Sequence, residues 1–319
     1  MAFTMEALNI DCRAETERLV SFIRRVLSED LHKRGAVVGI SSGIDSSVTA
    51  ALCVRALGPQ RVIGLIMPER DSHPETLQFS RKAADFLGIR SIHRDITPIL
   101  EGLGFYRDLA EVVRGQIPGY GDGWKWRISA SDPVEHADFA FFSLVVRSPD
   151  GEVIKKRMPV EVFLKIVALS NFKQRTRMML EYHYADRFHY AVAGTSNRLE
   201  TDQGFFVKLG DGAGDFKPIA HLYKSQIYKM AEYLGFPEDI RSRPPSSDIH
   251  SFSQGQDEFF FGLPYREMDA CLYGEENGIP AGDVAAAIGL EPEMVARLYR
   301  SIAIRRARTA YLKAQPLRP

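Results

Sequence analysis

The chain is poor in cysteine and carries no net charge. Only three cysteines occur among 319 residues (Cys12, Cys53 and Cys271), far apart and without a CxxC pair. Neither a zinc site nor a disulfide framework is signalled, and a reducing, cytoplasmic setting is expected. Lys and Arg number 41 against 41 Asp and Glu, which argues against a protein that grips duplex nucleic acid through its overall field. No apolar stretch approaches the ~20 residues of a membrane span, so no membrane association is expected. The first residues mix apolar side chains with Asp11, Arg13, Glu15, Glu17 and Arg18, unlike a signal peptide. Internal repeats and low-complexity tracts are also missing. These absences leave a soluble globular chain long enough to bury its own core.

What is present is an alternation of short apolar runs with helix-period segments. Helices are expected over 14–33, 48–57 and 74–87, and buried strands over 35–40, 62–67 and 91–96. That rhythm predicts an α/β fold with a doubly wound parallel sheet. Residues 101–165 break it. A loop rich in Gly (Gly115, Gly119, Gly121, Gly123) holds Trp124 and Trp126, and Ser148-Pro149-Asp150-Gly151 is a hairpin turn signal between runs at 139–147 and 151–158. This segment is expected to be an inserted β-hairpin arm, with aromatic residues that pack or face a partner. Helix-period sequence resumes over 162–187, a fourth strand is expected at 188–192, and helices at 220–235, 264–274, 281–288 and 291–306. The expected division is 1–100 with 166–270 as the main domain, 101–165 as the arm and 271–319 as C-terminal helices.

The segment Gly39-Ile40-Ser41-Ser42-Gly43-Ile44-Asp45-Ser46-Ser47 joins a buried strand to a helix. A turn of this kind leaves the first helical N–H groups free beside hydroxyls, a site for phosphate. It is not the GxxxxGK(S/T) loop, since no Lys follows. An aspartate inside a phosphate loop makes sense if Mg²⁺ lies between the two anions. A plain N-cap on an ordinary α/β unit is the other reading of these residues alone.

Ser41-Ser42-Gly43-Ile44-Asp45-Ser46 resembles the pyrophosphate loop SGGxDS of the N-type ATP pyrophosphatases, whose fold is adenine nucleotide alpha hydrolase-like. Later segments resemble the ammonia-dependent NAD synthetase branch of that superfamily. Asn171, Arg175, Arg177 and Met178 fit its NxxARxRM helix, with Gln174 where Ala is usual. Gly194-Thr195-Ser196-Asn197-Arg198-Leu199-Glu200 resembles GTxNxxE, and Gly204 to Asp215 resembles GYFTKYGDGxxD. Pro218, Leu222 and Lys224 continue the order, as do Pro245-Ser246-Ser247-Asp248. Taken singly, each has a bland explanation as a solvated face, surface lysine or turn; five motifs in family order do not.

The resemblance implies ATP- and Mg²⁺-dependent amidation of a carboxylate with ammonia through an acyl adenylate, with deamido-NAD as the acid. By residue-wise carry-over, Ser41, Gly43, Asp45, Ser46 and Ser47 would cradle the triphosphate, with Gly39, Ile40, Ser42, Ile44, Thr195, Lys224 and Ser246 around the nucleotide. Asp45 and Glu200 would share the metal, Lys224 would neutralise phosphate charge, and Arg175, Lys208, Asp215 and Arg305 would hold the acid. A homodimer is implied by the family alone. No stretch is left for a glutaminase domain, so the chain is expected to depend on free ammonia or to receive it from a separate partner.

Three departures bear on this. Ser42 stands where the loop usually has Gly, which costs about 1 kcal/mol or more if φ is positive there. Val207 replaces the usual Thr before Lys208. Near the C-terminus, Ile304-Arg305 stands where the family has a His-Lys pair. These motivate an alternative, a paralogous ligase acting on another small carboxylic acid, and a third reading as a nucleotide-binding relative without activity. A rival from a different class is helix–turn–helix DNA binding through 284–290 and 293–308, where Arg297, Arg300, Arg305, Arg306 and Arg308 cluster. With zero net charge, no nucleic-acid partner is expected.

Overall fold

The computed structural model describes residues 3–130, 142–243, 251–252 and 263–318. In chain order, α1 (Cys12–Arg25) leads to β1 (Ala36–Gly39), α2 (Ile44–Leu57), β2 (Val62–Ile66), α3 (Pro74–Phe86) and β3 (Arg90–His93). Helices α4 (Thr97–Gly102) and α5 (Phe105–Gln116) follow, then strands β4 (Lys125–Ala130), β5 (Phe142–Arg147) and β6 (Val153–Arg157). The long α6 (Val160–Phe188) returns the chain to β7 (Ala191–Ala193), with α7 (Arg198–Gln203), α8 (Lys224–Tyr233) and α9 (Glu238–Arg241) beyond it. The last helices are α10 (Tyr265–Glu276), α11 (Ala281–Ile288) and α12 (Pro292–Lys313).

Strands β3, β2, β1 and β7 form a parallel sheet in that order, with Val37 of β1 opposite Ile63 of β2 and Val192 of β7. Both faces are apolar because both are covered. Ala36, Val38, Ala191 and Ala193 pack with Leu19, Ile23, Leu52, Ile227 and Met230 of α1, α2 and α8. Val37, Leu65 and Val192 point the other way, into a cluster with Phe105, Leu109, Leu180 and Tyr184 of α5 and α6. This is the doubly wound arrangement that the alternation predicts. Strand β7 lies beside β1, so the turns leaving both strands meet at the same carboxyl-terminal edge.

The arm differs from its expectation in extent. The hairpin β5–β6 exists, but β4 pairs antiparallel with β5 to make a three-stranded sheet. Its first part is helical: α5 buries Phe105, Tyr106, Leu109 and Val113, and the glycines that flank it obscured the 3.6-residue period. Trp126, Ile128, Leu144 and Val146 join the same apolar cluster as the main sheet's second face. The segment is therefore a layer packed on the sheet, and Trp126 is buried within this chain. The run expected to begin at Phe139 starts among residues outside the described set.

The fourth strand is also corrected. Phe188 closes α6, the left-handed His189 (φ 58°) ends it, and the strand is Ala191–Ala193. Phe188 continues the helical apolar stripe, stacking on Tyr184 at 6.4 Å. A third apolar cluster joins α10, α11 and α12 to Leu199 and Tyr223. Bidentate Arg198–Glu276 bonds and an Arg306–Asp202 bond at 2.8 Å tie α7 to these helices. Arg306, read in the sequence as part of a basic face, is thus spent on internal pairs.

Candidate active site

The turn after β1 places three side chains at one point. Ser42 has φ 64°, the left-handed region that the usual Gly would take without strain. The condition under which Ser is costly is therefore met. Its hydroxyl donates to Ser41 O and accepts from Arg243 Nη1, contacts that offset part of that cost. Gly43 caps α2 with no side-chain bond to the helix, leaving the first-turn amides for an anion. Ser46 Oγ bonds Gly43 O at 2.9 Å and Ser47 Oγ bonds it at 3.0 Å, which hold the turn closed from below.

Asp45, in the first turn of α2, makes an ion pair with Lys224. Lys224 opens α8 and is buried there, a place where the helix dipole disfavours a cation. Burial also works against its charge, but Asp45 and Glu200 outweigh it and hold the ammonium above the ordinary lysine range. Asn197 Nδ2 donates to the other Asp45 oxygen at 3.3 Å. Asn197 and Glu200 form the capping box of α7, with Glu200 N on Asn197 Oδ1 at 3.0 Å and Asn197 N on Glu200 Oε2 at 3.2 Å. The box fixes Glu200 beside Asp45. Burial first, and then repulsion from Asp45, push the Glu200 carboxyl up to about 8. Two carboxyl groups thus face one ammonium, and with both ionised the cluster carries one negative charge in excess. Hard oxygen donors with surplus charge suit a hard divalent cation that also meets phosphate oxygens.

The residues expected on the acid side fall into two groups. Arg175 Nε and Nη2 donate to Lys208 O at 3.4 and 3.5 Å, so these two stand together. Lys208 Nζ in turn donates to Tyr311 O at 2.9 Å, at the end of α12. Arg305 lies on that same helix, where burial pulls its pKa down to about 10. Asp215 is engaged elsewhere: its Oδ2 accepts from Val192 N at 2.8 Å and its Oδ1 from Tyr182 at 3.2 Å, which anchors the turn after β7. Thr195 sits in that turn, and Gly194 N is held by Phe216 O at 2.8 Å. Ser246 lies outside the described residues.

Sequence reasoning missed three side chains. Arg243 reaches Ser42 and also Thr76 Oγ1 at 3.3 Å; a basic residue just ahead of the Pro-Pro-Ser-Ser motif was the available signal. Lys217 donates to Gly212 O; burial lowers its pKa while Asp211 and Glu200 pull it back up. Arg177, read only as motif filler, donates to Met67 O at 3.1 Å, at the end of β2. Away from these residues, the inserted sheet is met by a later segment of the chain. Phe252 N donates to Trp126 O at 2.9 Å, and the Phe252 ring lies 4.8 Å from the guanidinium carbons of both Arg127 and Arg147.

Comparison with known proteins follows the same lines. The family model for NAD synthase matches residues 15–112 and 151–313, leaving 113–150, most of the three-stranded sheet, between the two matches. An NH(3)-dependent NAD(+) synthetase of Mesorhizobium japonicum is 49% identical over 310 residues, covering 97% of each chain. One of Rhizobium meliloti is 48% identical, covering 99% of this chain and 94% of its own. Among solved structures, an NH3-dependent NAD synthetase from Campylobacter jejuni, in complex with the nitrate ion, superposes with TM-score 0.62 at 24% identity, covering 98% of this chain and all of that one. An NMN synthetase from Francisella tularensis gives TM-score 0.65 at 22% identity, covering 98% and 99%. Those two likenesses speak to the fold.

Proposed function

The chain belongs to the NAD synthase family, and from that premise we propose that it converts deamido-NAD to NAD with ammonia at the expense of ATP. The observation that carries this reading is the Asp45–Lys224–Glu200 cluster set against the uncapped amino end of α2.

A carboxylate is a poor electrophile, so the reaction first needs a leaving group. An acid oxygen attacks the α-phosphorus, the bond to the bridging oxygen breaks, and pyrophosphate departs. Ammonia nitrogen then adds to the carbonyl carbon, AMP leaves with the former acid oxygen, and the nitrogen loses a proton. The protein's work is positioning and charge neutralisation. The amides of α2 and the Ser41 hydroxyl hold the leaving pyrophosphate, joined by the hydroxyls of Ser46 and Ser47 once these turn from Gly43 O. Lys224 and Arg243 oppose its charge from two sides. Asp45 and Glu200 are the residues that would hold Mg²⁺, which supplies further neutralisation when bound. Arg175 and Lys208 offer cations to the acid substrate's phosphates or carboxylate, with Arg305 on the neighbouring helix. The covalent steps require no protein nucleophile, in keeping with Cys53 and Cys271, whose thiols burial pushes up to about 12.

Division into a main domain, an inserted layer and C-terminal helices belongs to the same proposal, as does a homodimer. Incubation with ATP, Mg²⁺, ammonium and deamido-NAD tests the activity: NAD, AMP and pyrophosphate are expected in equal amounts. Formation of ADP and phosphate, or AMP formation that ignores deamido-NAD and follows another acid, overturns it.

A further inference from the structure

Helix α6 sends one stripe of side chains over the carboxyl ends of β1 and β2. Gln174, Arg177 and Glu181 are spaced by three and four residues and so share a face. Arg177 reaches Met67 O beyond β2 and bonds Gln174 Oε1 at 3.3 Å. Glu181 lies one turn further, against the last residue of β1. A methyl group at Gly39 would collide with Glu181 Oε1. The carboxyl tip therefore rests directly on the strand at this glycine. Among the described residues, no group donates a hydrogen bond to Glu181, which is half-buried in the cleft wall.

A half-buried carboxyl with no protein donor keeps its oxygens free to bond a ligand in the cleft. Gly39 is two residues before Ser41, about 7 Å along an extended chain. A nucleotide whose terminal phosphates occupy the Ser41–Ser47 turn and whose body runs back over the strand ends brings its sugar to that place. We propose that Glu181 receives the ribose hydroxyls of the nucleoside triphosphate and makes the site selective for ribonucleotides. This rests on the ATP-dependent reading above. Burial and Asp211 push the Glu181 carboxyl up to about 8, with Arg177 pulling it back. Near neutral pH it holds a proton, and a protonated carboxyl both donates to and accepts from a vicinal diol. Arg177, fixed on Met67 O, lies beside it and limits where the sugar can settle.

The test compares ATP with 2′-deoxy-ATP and 3′-deoxy-ATP in steady-state turnover. Wild-type protein is expected to favour ATP in kcat/KM by about tenfold over one or both deoxynucleotides, the size of a lost hydrogen bond. Glu181→Ala should bring that ratio close to unity, chiefly through KM for ATP, with KM for the acid substrate unchanged. Glu181→Gln, which keeps an acceptor and a donor, should retain most of the preference. An unaltered preference in Glu181→Ala overturns the proposal, and so does an equal loss for all three nucleotides in both variants. Wild-type protein that ignores ATP overturns the ATP-dependent reading itself, which separates the two failures.

Discussion

Lys173 Nζ lies 2.6 Å from Glu69 Oε1, and neither side chain reaches solvent. Tyr106 donates to the second Glu69 oxygen at 2.7 Å and Asp71 N donates to it at 3.0 Å. Burial works against the Glu69 charge, but Lys173 and these donors hold its pKa below the usual carboxylate range. The pair fastens α6 to the segment that follows β2, and so sets the height of Arg175 and Arg177 over the cleft. Lys173→Met removes one partner and strands a buried carboxylate. Its unfolding free energy should fall by about 3–5 kcal/mol in urea titrations. Adding Glu69→Leu should return part of that loss, and a Lys173→Met protein of undiminished stability would show the pair to be incidental.

Asp45→Asn should abolish turnover without unfolding the protein. The substitution removes a metal and phosphate-side charge but leaves Glu200 as counter-charge to Lys224. We expect kcat to fall at least about 100-fold, while the thermal midpoint stays close to that of the wild type. Calorimetry alongside an AMP-release assay checks both halves. Full turnover in this variant contradicts the assignment.

The left-handed Ser42 offers a stability test with opposite signs at one position. Ser42→Gly frees the backbone from a conformation that costs a Cβ-bearing residue about 1–2 kcal/mol, but gives up the hydroxyl bond to Arg243. The sum should be a small gain or no change in thermal midpoint. Ser42→Val keeps the strain, adds β-branching and loses the hydroxyl, and should lower the midpoint by several degrees. A midpoint that ignores both changes would show that the turn is not strained.

Glu181 also makes a prediction about pH. Its carboxyl is raised to about 8 in the folded protein from an ordinary value of 4.5. Between these values the folded state holds a proton that the unfolded chain releases, so stability falls as pH rises through that window. The opposing groups are Asp211, which adds to the effect, and Arg177, which reduces it. Glu181→Gln cannot titrate and should lose less thermal stability than wild type between pH 5 and 8. Parallel curves would remove Glu181 as the source.

The layered fold was legible because its signals are local. Apolar runs such as Val62-Ile63-Gly64-Leu65-Ile66 have a strand's length, and Gly58 and Gly88 stop the helices before β2 and β3. The boundary at 188 was not legible, since Phe188 satisfies strand and helix patterns equally and only its packing on Tyr184 decides. Helix α5 hid behind glycines on both sides. In the site, Asp45, Glu200 and Lys224 lie far apart in the sequence, and motif order alone linked them; parallel register places the turns after β1 and β7 side by side. Arg243 left only its place ahead of the Pro-Pro-Ser-Ser motif, and Glu181 left no trace. Their significance comes from what they approach, Ser42 and Gly39, and proximity of that kind is written in tertiary structure only. Asp215 shows the converse: a motif residue whose carboxylate is occupied by Val192 and Tyr182 in holding the chain's own turn.

The central claim is that the acid becomes an acyl adenylate before nitrogen arrives. Deamido-NAD carrying heavy oxygen in its nicotinate carboxylate, turned over with ATP and ammonium, tests this by mass spectrometry of the products. The account predicts one heavy oxygen in the phosphate of each AMP formed and none in pyrophosphate. Heavy oxygen in inorganic phosphate, or AMP free of label, would contradict it.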